Sequence, residues 1–162
     1  MAGMGDVKMA ENLAFAALQK PVLDACQAAW EQEWVKGKKN YDNCSGFVKA
    51  VCQALGVEMV DDRADGIVDY IKDKWAPVAS ASEARAFAAA GVLVLAGLKG
   101  ADHERARDSG HVVVIVDGEM YKKQYPMCWG GSTSTAQSKG TKSVGEVWGQ
   151  SDRNRVGYYR QK

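Results

Sequence analysis

The stretch 40-NYDNCSGFVKAVCQALG-56 decides the reading of this chain. Phe47, Val48, Val51, Cys52 and Leu55 recur at helical spacing and Gly56 supplies a stop, so a helix is expected from Cys44 to Leu55. Cys44 lies off that apolar stripe, where a polar loop turns into the helix. A structural cysteine belongs on the apolar face, among core residues. The first turn of a helix has unpaired backbone N–H groups and a partial positive charge. A thiol placed there has its anion favoured, and the same N–H groups point at the oxyanion formed when sulfur attacks a carbonyl. Asn43 or Asp42 is the expected cap, and Ser45 and Gly46 keep the helix entrance small. The plain alternative is that Cys44 only caps or packs.

Upstream, Pro21 marks a helix start, and Leu23, Cys26, Trp30 and Trp34 share one face, which predicts a helix to about Val35. Residues 1–10 show no clear period and are expected to fray. Lys36 to Asn43 reads as a loop. Downstream, Ile67, Val68, Ile71 and Trp75 predict a third helix closed by Pro77, and Ser82 to Ala90 a fourth, capped by Ser80 or Ser82. The pattern then changes. GVLVLAGL from Gly91 and HVVVIVDG from His111 are β-branched apolar runs separated by the charged loop KGADHERARDS, and Asp117-Gly118 is a turn signature. EMYKKQYPMCW reads as a returning strand bent or ended by Pro126, Gly130 to Gly140 as a loop, and Val144–Trp148 and Val156–Arg160 as short closing strands. Helices first and strands second, with connections too short for helical crossovers, predict an α+β fold with an antiparallel sheet.

A length of 162 residues supports one domain with a sizeable core, and residues 1–162 are read as a single unit. Hydrophobic content of 46% and charged content of 25% are those of a soluble globular protein. Twenty-one basic against twenty acidic residues give no electrostatic case for nucleic acid or a membrane surface. No run reaches the roughly 18 apolar residues of a membrane span, and no signal peptide is seen at the N-terminus. Four cysteines are too few for a disulfide scaffold, and neither Cys-x-x-Cys pairs nor zinc-finger spacings to His103 or His111 occur. No metal or cofactor is expected.

A nucleophilic cysteine needs a base, and the chain holds two histidines. His103 sits among Asp102, Glu104, Arg105 and Arg107, the composition of a solvated loop. His111 heads the strongest strand after Ser109 and Gly110, so its ring is expected at the rim of the sheet, facing the helix-start cysteine as in papain-like thiol hydrolases. A structural histidine before a strand is the plain alternative. Cys26 and Cys52 fall on apolar helix faces and read as core. Cys128, beside Trp129, is a candidate to orient the imidazole, with packing as the alternative. GGSTST has no lysine at P-loop spacing and reads as a flexible cleft wall. The tryptophans read mainly as core, with Trp129 a candidate to line a groove.

NCSGFVKAV followed by ALGV, LVLAGLKG, GHVVVIVDG, YKKQYPMCWGGS and KSVGEVWGQSDRNRVGYY, in this order from about Cys26 to Tyr159, resemble the first family of type VI secretion amidase effectors. These are compact NlpC-like, papain-related peptidoglycan amidases. The resemblance implies a papain-like α+β fold, with the nucleophile at a helix N-terminus packed on the sheet. It implies an antibacterial toxin that cuts the peptidoglycan stem peptide between D-glutamate and meso-diaminopimelate. Such a toxin would be made in the donor cytoplasm without a signal peptide, exported through the type VI apparatus, and active in the recipient periplasm. Its partners would be a component of that apparatus and a cognate immunity protein.

On this resemblance the nucleophile falls on Cys44 and the base on His111, with Asn43, Ser45, Gly110 and Trp129 around the cleft. The family often carries a second cysteine where this chain has Gly130, which leaves Cys128, Ser132 or a backbone carbonyl as candidates for a third catalytic group. The loop from Lys99 to His111 is longer and more charged than the family pattern, and it borders the cleft. Two other functions fit the same residues: acyl transfer to an amine, as in transglutaminase-like enzymes, and a non-catalytic wall-binding module.

Overall fold

The structure, a computed structural model, describes residues 4–162, with side chains described from residue 16. It is an α+β fold in which helices cover both faces of a six-stranded antiparallel sheet. Helix α1 runs Met4–Trp30, α2 Cys44–Ala54, α3 Ala64–Lys74, α4 Ala81–Ala89 and α5 Val144–Trp148. Strands β1 (Glu33–Val35) and β2 (Lys38–Lys39) form a small separate hairpin. The main sheet is built from β3 (Ala76–Val78), β4 (Val94–Leu98), β5 (His111–Ile115), β6 (Met127–Gly130), β7 (Ser138–Ser143) and β8 (Gly157–Arg160). Their spatial order is β3-β8-β4-β5-β6-β7: a meander from β4 to β7, with β8 returning to pair with β4.

The two apolar runs read as strands lie at the centre of this sheet, and their continuous hydrophobicity has a physical cause. Side chains alternate between faces, so a strand covered on both sides must be apolar at every position. Val112, Val114 and Leu95 point into a core shared with α1, α2 and α3. Val113, Ile115, Val94 and Ala96 point into a second core shared with α4 and α5. β4 and β5 pair in register, with Gly97 opposite Val112 and Leu98 opposite His111.

Helices α2, α3 and α4 follow the periodicity of the sequence, with Asn43 capping α2 and Ser80 capping α4. Elsewhere the structure corrects the reading. α1 is helical from Met4 and passes through Pro21, where a helix start was expected; residues 1–3 lie outside the described residues. Between Leu13 and Gln19 the chain is almost wholly Leu, Ala, Phe and Gln, so strong helix formers precede the proline. α1 ends at Trp30, so Trp34 and Val35 belong to the exposed hairpin and not to a helix face.

Val144–Trp148 is a helix instead of the expected strand. Ser143 Oγ accepts from Glu146 N–H at 3.3 Å while Glu146 Oε1 accepts from Ser143 N–H at 3.1 Å, a reciprocal cap. The loop expected to reach Gly140 ends earlier, because β7 begins at Ser138. Ala76–Val78 adds an unexpected strand at the sheet edge, where Pro77 costs no ladder bond. Among the described residues, no helix is long and apolar enough to cross a membrane.

Candidate active site

Cys44 is the first residue of α2. Asn43 holds that helix end: its Oδ1 accepts from Gly46 N–H at 3.0 Å and from Ser45 Oγ at 3.0 Å, and its carbonyl accepts from Phe47 N–H at 2.9 Å. With those donors taken, the N–H groups of Cys44 and Ser45 remain, and both act on the Cys44 sulfur. A third backbone N–H comes from Val112, the residue after His111. α2 therefore delivers its terminal thiol to the start of β5.

Before the helix, a 3₁₀ turn over Asn40–Asp42 is packed tightly by a residue that loop composition concealed. Asn40 is buried, and its Nδ2 donates to Ala29 O at 3.1 Å, tying the turn to α1. Opposite, Ser132 N–H donates to Tyr41 O at 2.9 Å, and a Cβ at Gly131 would lie 1.9 Å from Asn40 O. Only glycine allows the chain after β6 to come this close, so the Gly-Gly pair joins the cleft walls. Gln137 Nε2 adds a bond of 2.9 Å to Asp42 Oδ1.

The electrostatics of Cys44 reverse the expectation from its helix position. The three N–H groups lower its pKa, but burial outweighs them and the thiol is held above its ordinary value. His111 is pushed down to about 4, first by burial and then by the charge of Arg107. At neutral pH the two groups are thus a thiol and a neutral imidazole, and not an ion pair.

His111 heads β5, but its ring is not a rim group. It is 8% exposed, shares the face of Val113 and Ile115, and packs edge-on against Trp148 with ring centroids 5.1 Å apart. Its Nε2 and the indole Nε1 of Trp148 are both buried without hydrogen-bond partners. No hydrogen bond joins the Cys44 thiol to the imidazole among the described residues: the sulfur packs with the core of α1, α2 and α3, whereas the His111 ring shares the other face of the sheet with Val113, Ile115 and Trp148.

The two candidates for a third group direct their hydrogen bonds elsewhere. Ser132 Oγ pairs with Ser134 Oγ at 2.9 Å. Cys128 donates to Lys142 O at 3.5 Å inside the second core, and burial pushes its thiol up to about 12. Cys26 and Cys52 are core thiols, also raised by burial. Trp129 is a core residue, stacked on Phe47 at 6.4 Å and edge-on to Trp30 at 5.9 Å. At Gly110, a Cβ would lie 2.3 Å from Leu98 O, so the chain entering His111 has no room for a side chain. A Cβ at Gly130 would meet Val113 Cγ1 at 2.7 Å, which suits the glycine found there.

His103 corrects the sequence reading most plainly. It is 4% exposed and not a solvated loop residue. Its Nδ1 lies 2.9 Å from Lys99 O and 3.2 Å from Gly100 O, so that nitrogen carries the proton and donates. Its Nε2 then accepts from Arg107 Nη2, whose backbone N–H bonds Gly100 O at 3.0 Å. The charged residues around His103 are the outer surface of a turn folded about the ring. Among the described residues, no three His, Cys, Asp or Glu side chains converge as metal ligands.

The chain matches no protein-family model. It is 45% identical over 145 residues to the peptidoglycan amidase Tse1 of Pseudomonas aeruginosa strain PAO1, an overlap of 88% of this chain and 90% of that protein. Identity at this level along nearly the full length of both proteins establishes kinship: the chain belongs to the family of Tse1, the first family of type VI secretion amidase effectors.

Proposed function

We propose that this protein is a peptidoglycan amidase that uses Cys44 as nucleophile and His111 as general base, in a papain-like arrangement. The observation that carries the reading is the placement of the Cys44 sulfur at the start of α2, against the N–H of the residue that follows His111, in a chain akin to a peptidoglycan amidase. The bond cut is the γ-D-glutamyl–meso-diaminopimelate amide of the stem peptide, as the family resemblance implies.

The raised thiol and neutral imidazole set the order of proton movements. His111 takes the thiol proton as sulfur bonds to the γ-glutamyl carbonyl carbon, and negative charge gathers on the carbonyl oxygen. The N–H groups of Cys44 and Ser45 donate to that oxyanion as they leave the sulfur. The protonated imidazole gives its proton to the departing diaminopimelyl nitrogen, the C–N bond breaks, and a thioester remains. Water, deprotonated by His111, attacks the thioester; the glutamyl carboxylate leaves and the thiol is restored.

In the wider role, the enzyme passes through the type VI apparatus into a neighbouring cell's periplasm and lyses that cell. A cognate immunity protein blocks the cleft in the donor and its kin. The decisive experiment is mass spectrometry of defined muropeptides after digestion. The parent is expected to release the diaminopimelyl amine, and Cys44→Ala to lower the rate at least about 1,000-fold. Full retention of hydrolysis by Cys44→Ala would refute the assignment, and incorporation of an added amine in place of water would reassign the reaction to acyl transfer.

A further inference from the structure

The hairpin of β1 and β2 is a part of the surface that neither the cores nor the candidate site accounts for. Residues 31–38 are all exposed, and Trp34 and Val35 remain 45% and 48% open to solvent. The base of the hairpin is held firmly: Asn40 N–H donates to Gln32 O at 2.9 Å, and the buried Asn40 Nδ2 donates to Ala29 O at 3.1 Å. Val35 pairs with Lys38 across a tight turn in which Gly37 takes a φ of +81°, a conformation that glycine adopts without strain. The result is a fixed stalk with an apolar pair near its tip. A lone exposed apolar side chain is ordinary, but here a Trp and a Val stand together on a projecting turn, packed against neither core.

The same tip concentrates charge of one sign. Residues 34–39 hold Lys36, Lys38 and Lys39 and no acid, in a chain whose overall balance is +1. Lys39 Nζ lies 3.7 Å from Glu33 Oε1, so its charge is partly offset. Lys36 and Lys38 pair with no carboxylate among the described residues, and Lys38 Nζ stands 5.6 Å from the centroid of the Trp34 ring. A count over the whole chain averages this local excess away. Whatever covers the tip must offer an apolar phase to Val35 and the indole, with negative charge beside it for the ammonium groups. Lysine stems lie along apolar surface while their heads stay in water, and tryptophan favours the boundary between the two. A second copy of this chain would set lysine against lysine, and a neutral glycan strand gives the lysines no counter-charge and Val35 no apolar volume.

We propose that this hairpin is a membrane-docking element, which places Trp34 and Val35 in the interface of an anionic phospholipid bilayer with Lys36 and Lys38 on the headgroup phosphates. Two apolar side chains and two unpaired charges make the contact shallow and reversible, dependent on anionic lipid and weakened by salt. β2 ends at Lys39 and leads through the 3₁₀ turn to Cys44 at the start of α2, so docking holds the candidate site close to the bilayer. Under the amidase reading above, the enzyme is thereby confined to the layer of wall next to a membrane.

The test uses the full chain bearing Cys44→Ala, so that peptidoglycan is not digested during binding. It is sedimented with vesicles of phosphatidylcholine alone, with vesicles of phosphatidylcholine and phosphatidylglycerol in equal amounts, and with purified peptidoglycan sacculi. Partition onto the anionic vesicles is expected to exceed that onto the neutral ones at least about tenfold at low salt, and to fall as salt is raised. Adding Trp34→Ser with Val35→Ser, or separately Lys36→Gln with Lys38→Gln, is expected to lower that partition about tenfold in each case. All four positions are exposed, so the fold is expected to survive, and circular dichroism checks it. Equal partition onto the two kinds of vesicle overturns the proposal. So does anionic binding unmoved by the Trp34 and Val35 substitutions, which is adsorption by charge alone. Retention on sacculi but not on vesicles, lost with the same two substitutions, overturns it in favour of the glycan. Hydrolysis does not enter this readout, so the amidase reading stands or falls apart from it.

Discussion

His111 shows how a single side chain couples the site to the rest of the molecule. Its ring is buried against Trp148 and lies near the charge of Arg107, and its folded pKa falls to about 4 from an ordinary 6.5. Between those two values the unfolded chain binds a proton that the folded chain rejects. This residue's contribution to stability is therefore complete above about pH 6.5 and lost as pH falls toward 4, by up to roughly 3 kcal/mol. His111→Gln, which cannot titrate, is expected to flatten the difference in urea midpoint between pH 7 and pH 4 relative to the parent; an unchanged slope contradicts the assignment. Cys44 carries the opposite lesson about what position in sequence can say. A helix start lowers a thiol pKa only while the thiol stays wet, and here burial outweighs three backbone donors.

At the scale of elements, α2 is the part that must be held still. Asn43 takes the first donors of the helix and leaves those of Cys44 and Ser45 for chemistry. Asn43→Ala is expected to cost about 1 kcal/mol in urea denaturation, with a slower kcat as the first turn loosens. Asn43→Asp, which keeps the acceptor, should restore most of the stability. α5 is held by the same device, the Ser143–Glu146 reciprocal cap, and it carries the Trp148 that meets His111. That cap was legible as Ser-x-x-Glu in KSVGEVW, but the Val-Gly-x-Val-Trp pattern resembled a strand and hid it. Periodicity over five residues does not separate the two structures. The longer α2, α3 and α4 were readable because each repeats its apolar stripe over two or more turns.

Over the whole molecule, the sheet is the partition between two cores and also the frame that brings distant segments together. Ile115 is fully buried on the α4–α5 side. Ile115→Ala removes packing that no neighbour can replace, and is expected to destabilise the fold by about 2–5 kcal/mol, lowering Tm by on the order of 10 °C. An exposed substitution on the hairpin, Val35→Thr, should leave Tm within about 2 °C, since it touches neither core. Differential scanning calorimetry of both variants checks the contrast.

The amino-acid order alone determined what local rules govern: helices α2, α3 and α4, the two central strands, the antiparallel connections, a cap at Asn43 or Asp42, and the candidate pair Cys44 and His111. Each follows from a repeat or a backbone requirement confined to neighbours in the chain. Tertiary structure decided what depends on groups far apart in sequence. Burial set the protonation of Cys44 and His111, the folded turn enclosed His103, and Trp148 came to lie against His111. The pairing of Gly97 with both Val112 and Gly157 left a cavity with Lys72, Lys99 and Arg155 in its walls between α3, β4 and β8. Desolvation and cross-strand register are sums over distant segments, and no window of sequence contains them.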